Sequence, residues 1–167
     1  HGCVLLIRRT KNMKKLLIPL LITNFIYAQS FVPDAPELDL KSYILIEPNT
    51  NTVIAEFNSD SEIEPASMTK IMTSYVVADQ IANDLIFLDD QVLISEKAWR
   101  MEGSKMFIEA GKKVSVSDLL KGIIIQSGND ASVAIAEYAG GTERGFVDLM
   151  NSYAGSLGMN NTIFQNS

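Results

Sequence analysis

Ser67 and Lys70 are the pair of residues with the clearest potential for chemistry in this 167-residue sequence. Apolar residues recur from Met68 to Ala78 with helical spacing, and Pro65 stands just ahead of them, so the pattern predicts a helix that begins near Ser67. Residues three positions apart lie on one helix face, with Cβ atoms about 5 to 6 Å apart. A lysine amine at that distance could take the proton of the serine hydroxyl and make it a nucleophile.

The same pair also has an ordinary structural interpretation. A serine at a helix start often caps the first turn, and a lysine one turn later is often a surface charge. A single S-x-x-K pattern favours this interpretation, because both residue types are common. Ser67 and Lys70 therefore need support from other features of the sequence.

The scarcity of other catalytic residue types supplies part of that support. The only histidine is His1 and the only cysteine is Cys3, and both precede the segment that we expect to fold. Catalysis by a Ser-His-Asp triad or a thiol, disulfide bonds, and zinc sites built on His or Cys are thus excluded for the folded part. A base that activates a nucleophile there must be Lys, Tyr, Asp or Glu.

The first 30 residues differ from the rest in charge. They carry five of the 14 basic residues and none of the 20 acidic ones. From Met13, two lysines precede the apolar run 16–28 and the polar residues that follow it, a layout typical of a secretory signal peptide. The run is too short and too interrupted for a spanning helix. We expect residues 1–12 to be upstream, non-native sequence, 13–30 to be a signal peptide, and 31–167 to be the exported domain.

Composition restricts the class of partner. The formal net charge of -6 and the 47% hydrophobic content indicate an acidic domain that can bury a core. The acidic part after residue 30 has no basic patch, which argues against a nucleic-acid partner.

Sequence patterns predict an α+β fold. The β-prone runs 42–47 and 52–57 flank a turn and predict a hairpin, and 91–95 predicts a short strand. We expect 98–107 to be an irregular loop that could wall a cleft. Three helices are predicted by apolar periodicity and by capping residues, at 115–125, 130–138 and 142–157. In the first of them we expect five residues to be fully buried: Leu119, Leu120, Ile123, Ile124 and Ile125.

The turn Ser127-Gly128-Asn129 is the second unusual feature. It places three small polar residues between two apolar helices, in the part of the chain that should be deepest in the core. Asn129 or Asp130 could simply cap the next helix. Buried hydroxyl and amide groups need partners, however, and the floor of a cleft can supply them.

Ser67-x-x-Lys70 followed by Ser127-Gly128-Asn129 resembles the first two of the three motifs of the serine penicillin-recognising enzymes. The resemblance is strongest to the low-molecular-mass penicillin-binding proteins that act as D-alanyl-D-alanine carboxypeptidases, and it covers essentially everything after residue 30. It implies a helical cluster packed on an antiparallel sheet, as in β-lactamases and DD-peptidases. It also implies export to the periplasm or cell envelope.

The resemblance implies roles for four residues. Ser67 is the nucleophile that forms an acyl-enzyme with the peptide, and Lys70 is its base. Ser127 relays the proton to the leaving amine, and Asn129 binds the backbone of the substrate. The implied substrates are peptidoglycan stem peptides, the implied covalent inhibitors are β-lactams, and no cofactor or metal is expected.

The third motif of the family, Lys-Thr-Gly, does not occur in the sequence. We therefore expect the sequence to be a C-terminally truncated part of a catalytic domain, inactive by itself. A C-terminal anchor to the inner-membrane surface, found in many relatives, could lie in the missing part. Three alternatives stay open: a β-lactamase, an endopeptidase or transpeptidase of the same superfamily, and a non-catalytic peptidoglycan-binding or interaction domain. Against a class A β-lactamase, the only glutamates after Asn129 are Glu137 and Glu143.

Overall fold

The computed structural model of the protein describes residues 37–167. The predicted signal peptide and the residues before it lie outside the described residues. The described chain divides after Glu62 into two compact units.

The first unit contains the predicted hairpin, which the structure confirms. Strand β1 (Tyr43–Glu47) pairs antiparallel with β2 (Thr52–Phe57). The pairing register shifts after Leu45, which produces an irregularity in the ladder. The carboxylate of Glu47 organises the turn, because it accepts hydrogen bonds from the Thr50 hydroxyl and backbone N–H at 2.7 Å each. These bonds, the hydroxyl bond first, lower the pKa of Glu47 to about 2.

The second unit contains five helices and a short strand pair. A 3₁₀ turn (Ala66–Met68) leads into α1 (Thr69–Ala82). Strand β3 (Gln91–Leu93) pairs antiparallel with β4 (Lys113–Ser115), and α2 (Glu96–Arg100) lies between them in the chain. The last three helices follow: α3 (Val116–Gln126), α4 (Asn129–Gly140) and α5 (Glu143–Ser156).

Helix α4 is the centre of this unit. Its six consecutive residues from Ala131 to Ala136 are all buried, and it packs against each of the other four helices and against β3. Apolar side chains of the neighbouring elements complete the core, among them Val76, Val77, Leu119, Phe146 and Met150. A stretch of helix that is covered on all sides is mostly apolar, which explains why five of these six residues are alanine, valine or isoleucine.

The prediction that Ile124 and Ile125 are fully buried is wrong. Their side chains are 71% and 73% exposed, whereas Leu119 and Ile123 are buried and Leu120 is partly buried. Helix α3 presents only one face to α4, and with 3.6 residues per turn the two isoleucines after Ile123 turn away from that face. A run of apolar residues therefore did not mean that all of them are buried.

The prediction that 98–107 is irregular throughout is also wrong in its first part. Residues 96–100 form α2, whose start is capped by Ser95, since the Ala98 N–H donates to Ser95 Oγ at 3.0 Å. Helix α3 begins in the same way, because the Asp118 N–H donates to Ser115 Oγ at 3.1 Å. The predicted α+β class is confirmed. Within residues 37–167, no helix has the length and apolar character needed to cross a membrane.

Candidate active site

Ser67 lies in the 3₁₀ turn that begins the first helix. It is exposed, and within the described part of the chain its side chain makes no capping hydrogen bond to the first turn of α1. Its neighbour Ala66 has φ 47°, a left-handed conformation that is costly for a residue with a Cβ. The interpretation of Ser67 as a helix cap therefore finds no support in the geometry. Ser67 is thus an exposed residue that directly follows a residue in a strained backbone conformation.

Lys70 lies one turn after Ser67, in the first turn of α1, and it is not a free surface charge. Its side chain is partly buried, and its Nζ donates a hydrogen bond to Asn129 Oδ1 at 2.7 Å. Burial lowers the pKa of Lys70 below its ordinary value, because desolvation disfavours the charged ammonium. Such an amine can lose its proton more readily and act as a base.

Asn129 is the first residue of α4, and its side chain is held in one orientation. Its Nδ2 donates to the carbonyl of Glu102 at 2.7 Å, and its backbone N–H donates to the carbonyl of Ser104 at 2.7 Å. The amide oxygen is thereby directed to Lys70. The loop that the sequence suggested as a cleft wall thus makes direct contact with the second motif.

Ser127 ends α3 in a left-handed conformation, with φ 53° and ψ 37°. This conformation turns the chain sharply, so that Asn129 can begin α4 two residues later. The structure therefore brings Lys70 and Asn129 into direct contact and places Ser67 one turn from Lys70. Among residues 37–167, no hydrogen bond joins Ser67 Oγ or Ser127 Oγ to Lys70.

Asp130 is a site-supporting residue that sequence reasoning mentioned only as a possible cap. It is fully buried, and its Oδ1 accepts from the N–H groups of Met106 and Ala131, at 3.0 and 2.9 Å. Its Oδ2 accepts from the N–H groups of Phe107 and Ile108 at 2.9 and 3.2 Å. One carboxylate thus fastens the loop to the start of α4. An acid directly before a stretch in which five of six residues are apolar was the available sign, because a buried carboxylate needs several donors.

Comparison with known proteins identifies a protein family for most of the chain. The family model described as D-alanyl-D-alanine carboxypeptidase, of peptidase family S11, matches residues 29–167. This chain belongs to that family. The carboxypeptidase DacC of Escherichia coli is 46% identical over 145 residues, which cover 83% of this chain and 36% of the relative.

Other members of the family agree. The carboxypeptidase DacF of Bacillus subtilis is 44% identical over 165 residues, with 92% of this chain and 42% of the relative covered. The crystal structure of the carboxypeptidase DacD from Francisella tularensis superposes with a TM-score of 0.77 at 47% identity, covering 80% of this chain and 32% of that one. The chain therefore spans less than half the length of these family members.

Gly103 offers a test of how the loop after α2 orients the side chain of Asn129. Gly103 has φ 82°, and a Cβ on it would lie 2.8 Å from Asn129 Nδ2. We expect Gly103→Ala in the full-length protein to displace the amide and slow acylation by a labelled penicillin about tenfold or more, because the oxygen bonded to Lys70 moves with it. Gly111, in the turn before β4, has φ 77° with no atom within 4 Å of such a Cβ. Gly111→Ala should therefore carry the backbone strain alone, and equal acylation rates for the two variants would contradict this contact.

Asp130 offers a test of how the loop is held. Asp130→Asn replaces one carboxylate oxygen by an NH₂ group, which cannot accept hydrogen bonds from backbone N–H groups. We expect the free energy of unfolding of the full-length protein to fall by about 2 to 4 kcal/mol, because buried N–H groups are left without acceptors. Hydrogen exchange should accelerate at Met106, Phe107 and Ile108. Asp148→Asn, an exposed change on α5, is the control, and exchange at the loop that is unchanged in Asp130→Asn would contradict the assignment.

Proposed function

We propose that this protein is a serine-type D-Ala-D-Ala carboxypeptidase, in which Ser67 is the nucleophile and Lys70 is the base. The hydrogen bond between Lys70 Nζ and Asn129 Oδ1 is the observation that carries the proposal most directly. This bond holds a partly buried amine whose pKa is lowered, and Ser67, one turn earlier in the chain, is exposed. Membership of the carboxypeptidase family supports the same reaction.

The reaction proceeds in two steps. Ser67 Oγ attacks the carbonyl carbon of the penultimate D-alanine while Lys70 Nζ takes the hydroxyl proton. The C–N bond then breaks, the proton reaches the leaving amine through Ser127, and the terminal D-alanine departs. Water hydrolyses the resulting ester on Ser67, so that the sum of the steps is peptide plus water giving the shortened peptide and D-alanine. The N–H of Ser67 lies at a helix start, where it has no carbonyl partner one turn earlier, and can stabilise the oxyanion.

The proposal includes a part of the site that these residues do not supply. A Lys-Thr-Gly strand would bind the terminal carboxylate of the substrate and complete the oxyanion hole, and that motif is absent from the sequence. Residues 31–167 alone would then be inactive. Asn129 would bind the peptide backbone of a stem peptide, and β-lactams would acylate Ser67 because they resemble the substrate. We further propose that the segment 13–30 directs export to the cell envelope. A part of the protein other than residues 31–167 would associate with the membrane surface.

The alternative of a class A β-lactamase needs a glutamate that activates the deacylating water. Glu143 is engaged elsewhere: it pairs with Lys97 at 2.6 Å and accepts from Ser167. Glu137 lies two turns into α4, and neither carboxylate is hydrogen-bonded to Lys70 or Asn129. A carboxypeptidase is therefore the better supported function.

A labelled penicillin and a peptide ending in D-Ala-D-Ala test the proposal. The full-length protein should form a covalent adduct on the peptide that contains Ser67 and should release one D-alanine for each substrate molecule. Release of an internal peptide from cross-linked peptidoglycan without D-alanine release would instead identify an endopeptidase. Tight peptidoglycan binding without any adduct would identify the non-catalytic alternative.

A further inference from the structure

Helices α1 and α4 run parallel with a constant register. Lys70 at the start of α1 bonds to Asn129 at the start of α4, and Gln80 Nε2 near the end of α1 donates to the carbonyl of Ala139 near the end of α4. In each pair the two residues are 59 positions apart in the chain. The two helices therefore face each other through matching stripes of residues that recur every three or four positions: Lys70, Thr73, Val77 and Gln80 on α1, and Asn129, Ser132, Ala136 and Ala139 on α4.

The second layer of these stripes contains two hydroxyl groups. Thr73 and Ser132 share the same register offset and are both 0% exposed. Within residues 37–167, neither Thr73 Oγ1 nor Ser132 Oγ has a hydrogen-bond partner. Two buried hydroxyls without partners are costly, and an ordered water that bonds to both is the usual way in which such groups are satisfied.

The position of this layer connects it to Lys70. Side chains on a helix lean toward its N-terminus, so those of Thr73 and Ser132, three residues after Lys70 and Asn129, lie beside the turn that holds this pair. When Lys70 takes the proton of Ser67, it becomes an ammonium with three N–H donors. Asn129 Oδ1 accepts one of them, and Ser127 Oγ, which passes the proton to the leaving amine in the proposed reaction, accepts another, whereas the oxygen of Ser67 is by then bonded to the carbonyl carbon of the substrate and is a weak acceptor. The third donor still needs an acceptor in a partly buried site.

We propose that Thr73 and Ser132 together hold one ordered water beneath Lys70, and that this water accepts a hydrogen bond from the ammonium formed during acylation. The proposal rests on the proposed function, since it assigns Lys70 as the base. Thr73 and Ser132 are then positioning residues, which act on the reaction through the water and Lys70. The remaining layers, of Val77 with Ala136 and of Gln80 with Ala139, give the two helices their packing.

A pair of substitutions at Thr73 separates this role from packing. Thr73→Val keeps the shape and removes the hydroxyl, and we expect it to slow acylation of the full-length protein by a labelled penicillin about tenfold, the worth of one hydrogen bond to a charged group. Its melting temperature should stay within about 2 °C. Thr73→Ser keeps the hydroxyl and removes a buried methyl, so it should retain the acylation rate within about twofold and melt several degrees lower. A purely structural role predicts that Thr73→Ser is the slower of the two.

The shared water is tested by combining the two sites. Ser132→Ala should also slow acylation about tenfold, and the double variant with Thr73→Val should be little slower than either single variant, because the water is lost only once. If the rate reductions of the two single variants multiply in the double variant, the proposal of a shared water is wrong. Gln80→Met, at the far end of the same stripe, is the matched control and should keep the wild-type rate.

Crystallography of the full-length protein gives the direct measurement. A water within about 3.2 Å of both Thr73 Oγ1 and Ser132 Oγ would support the proposal. Hydroxyls that bond instead to the carbonyls of Thr69 and Gly128 on their own helices would overturn it. Failure of the proposed function is distinguishable from both, since the wild-type protein itself would then form no penicillin adduct.

Discussion

Ser67→Ala is expected to abolish the penicillin adduct and D-alanine release in the full-length protein while leaving its stability unchanged within about 0.5 kcal/mol. The adduct disappears because Ser67 carries the exposed hydroxyl one turn before Lys70, whereas the hydroxyl of Thr73, one turn after it, is buried. Stability is preserved because the Ser67 side chain makes no capping hydrogen bond. A cap would behave in the opposite way, since its removal typically costs about 1 kcal/mol. Mass spectrometry of the labelled protein and urea unfolding measure the two quantities.

Ser115→Ala is the matched control for that experiment. Ser115 is also a serine at a helix start, but its Oγ accepts the Asp118 N–H at 3.1 Å and caps α3. We expect it to lose about 1 kcal/mol of stability and to keep full acylation. An adduct that survives in Ser67→Ala would refute the assignment of the nucleophile, whereas a loss of stability in that variant would restore the capping interpretation.

Lys70→Arg is expected to slow acylation by about 10² to 10⁴-fold, the usual contribution of a general base. Arginine keeps the positive charge and can still donate to Asn129, but it does not give up its proton in proteins and so cannot act as a base. Penicillin acylation rates measured by stopped flow or gel fluorescence give the comparison. Lys121→Arg is the control, because Lys121 is an exposed residue of α3 that pairs with Asp118.

The pH profile of the wild-type protein provides a second readout for Lys70. Acylation requires the neutral amine, so the rate should rise with pH as Lys70 loses its proton. Burial lowers the pKa of Lys70, and this rise should therefore be centred below the ordinary lysine pKa of about 10.4. A rise of the rate centred at or above that value would mean that Lys70 is solvated, and it would contradict the assignment of Lys70 as a partly buried base.

Elements with a strong local pattern were predictable from the sequence. The hairpin follows from two β-prone runs around a polar turn, and α1, α4 and α5 follow from apolar spacing and from residues such as Thr142, which caps α5. Ser67 and Lys70 could be paired because a single helix sets their spacing. The strand β4 and the helix α2 were missed because three and five residues carry too little periodicity.

Contacts between distant parts of the chain were not predictable. The bonds of Asp130 to Met106, Phe107 and Ile108 join residues 22 to 24 positions apart, and no local pattern encodes them. The same holds for the hydrogen bond between Lys70 and Asn129, because the resemblance to a family implied only that Asn129 binds the substrate. Ile124 and Ile125 show the converse, since their apolar character says nothing about which face of α3 is covered.

The constant register of α1 and α4 has a consequence for how such a site tolerates change in evolution. The distance between Lys70 and Asn129 depends on the packing of two helices, so residues can be inserted or deleted between Ala82 and β3 without moving either group. A deletion of one residue inside either helix would rotate all following side chains by about 100° and take the matching stripes out of phase. Length variation among homologous chains should therefore concentrate in the connection after α1 and be absent from both helices.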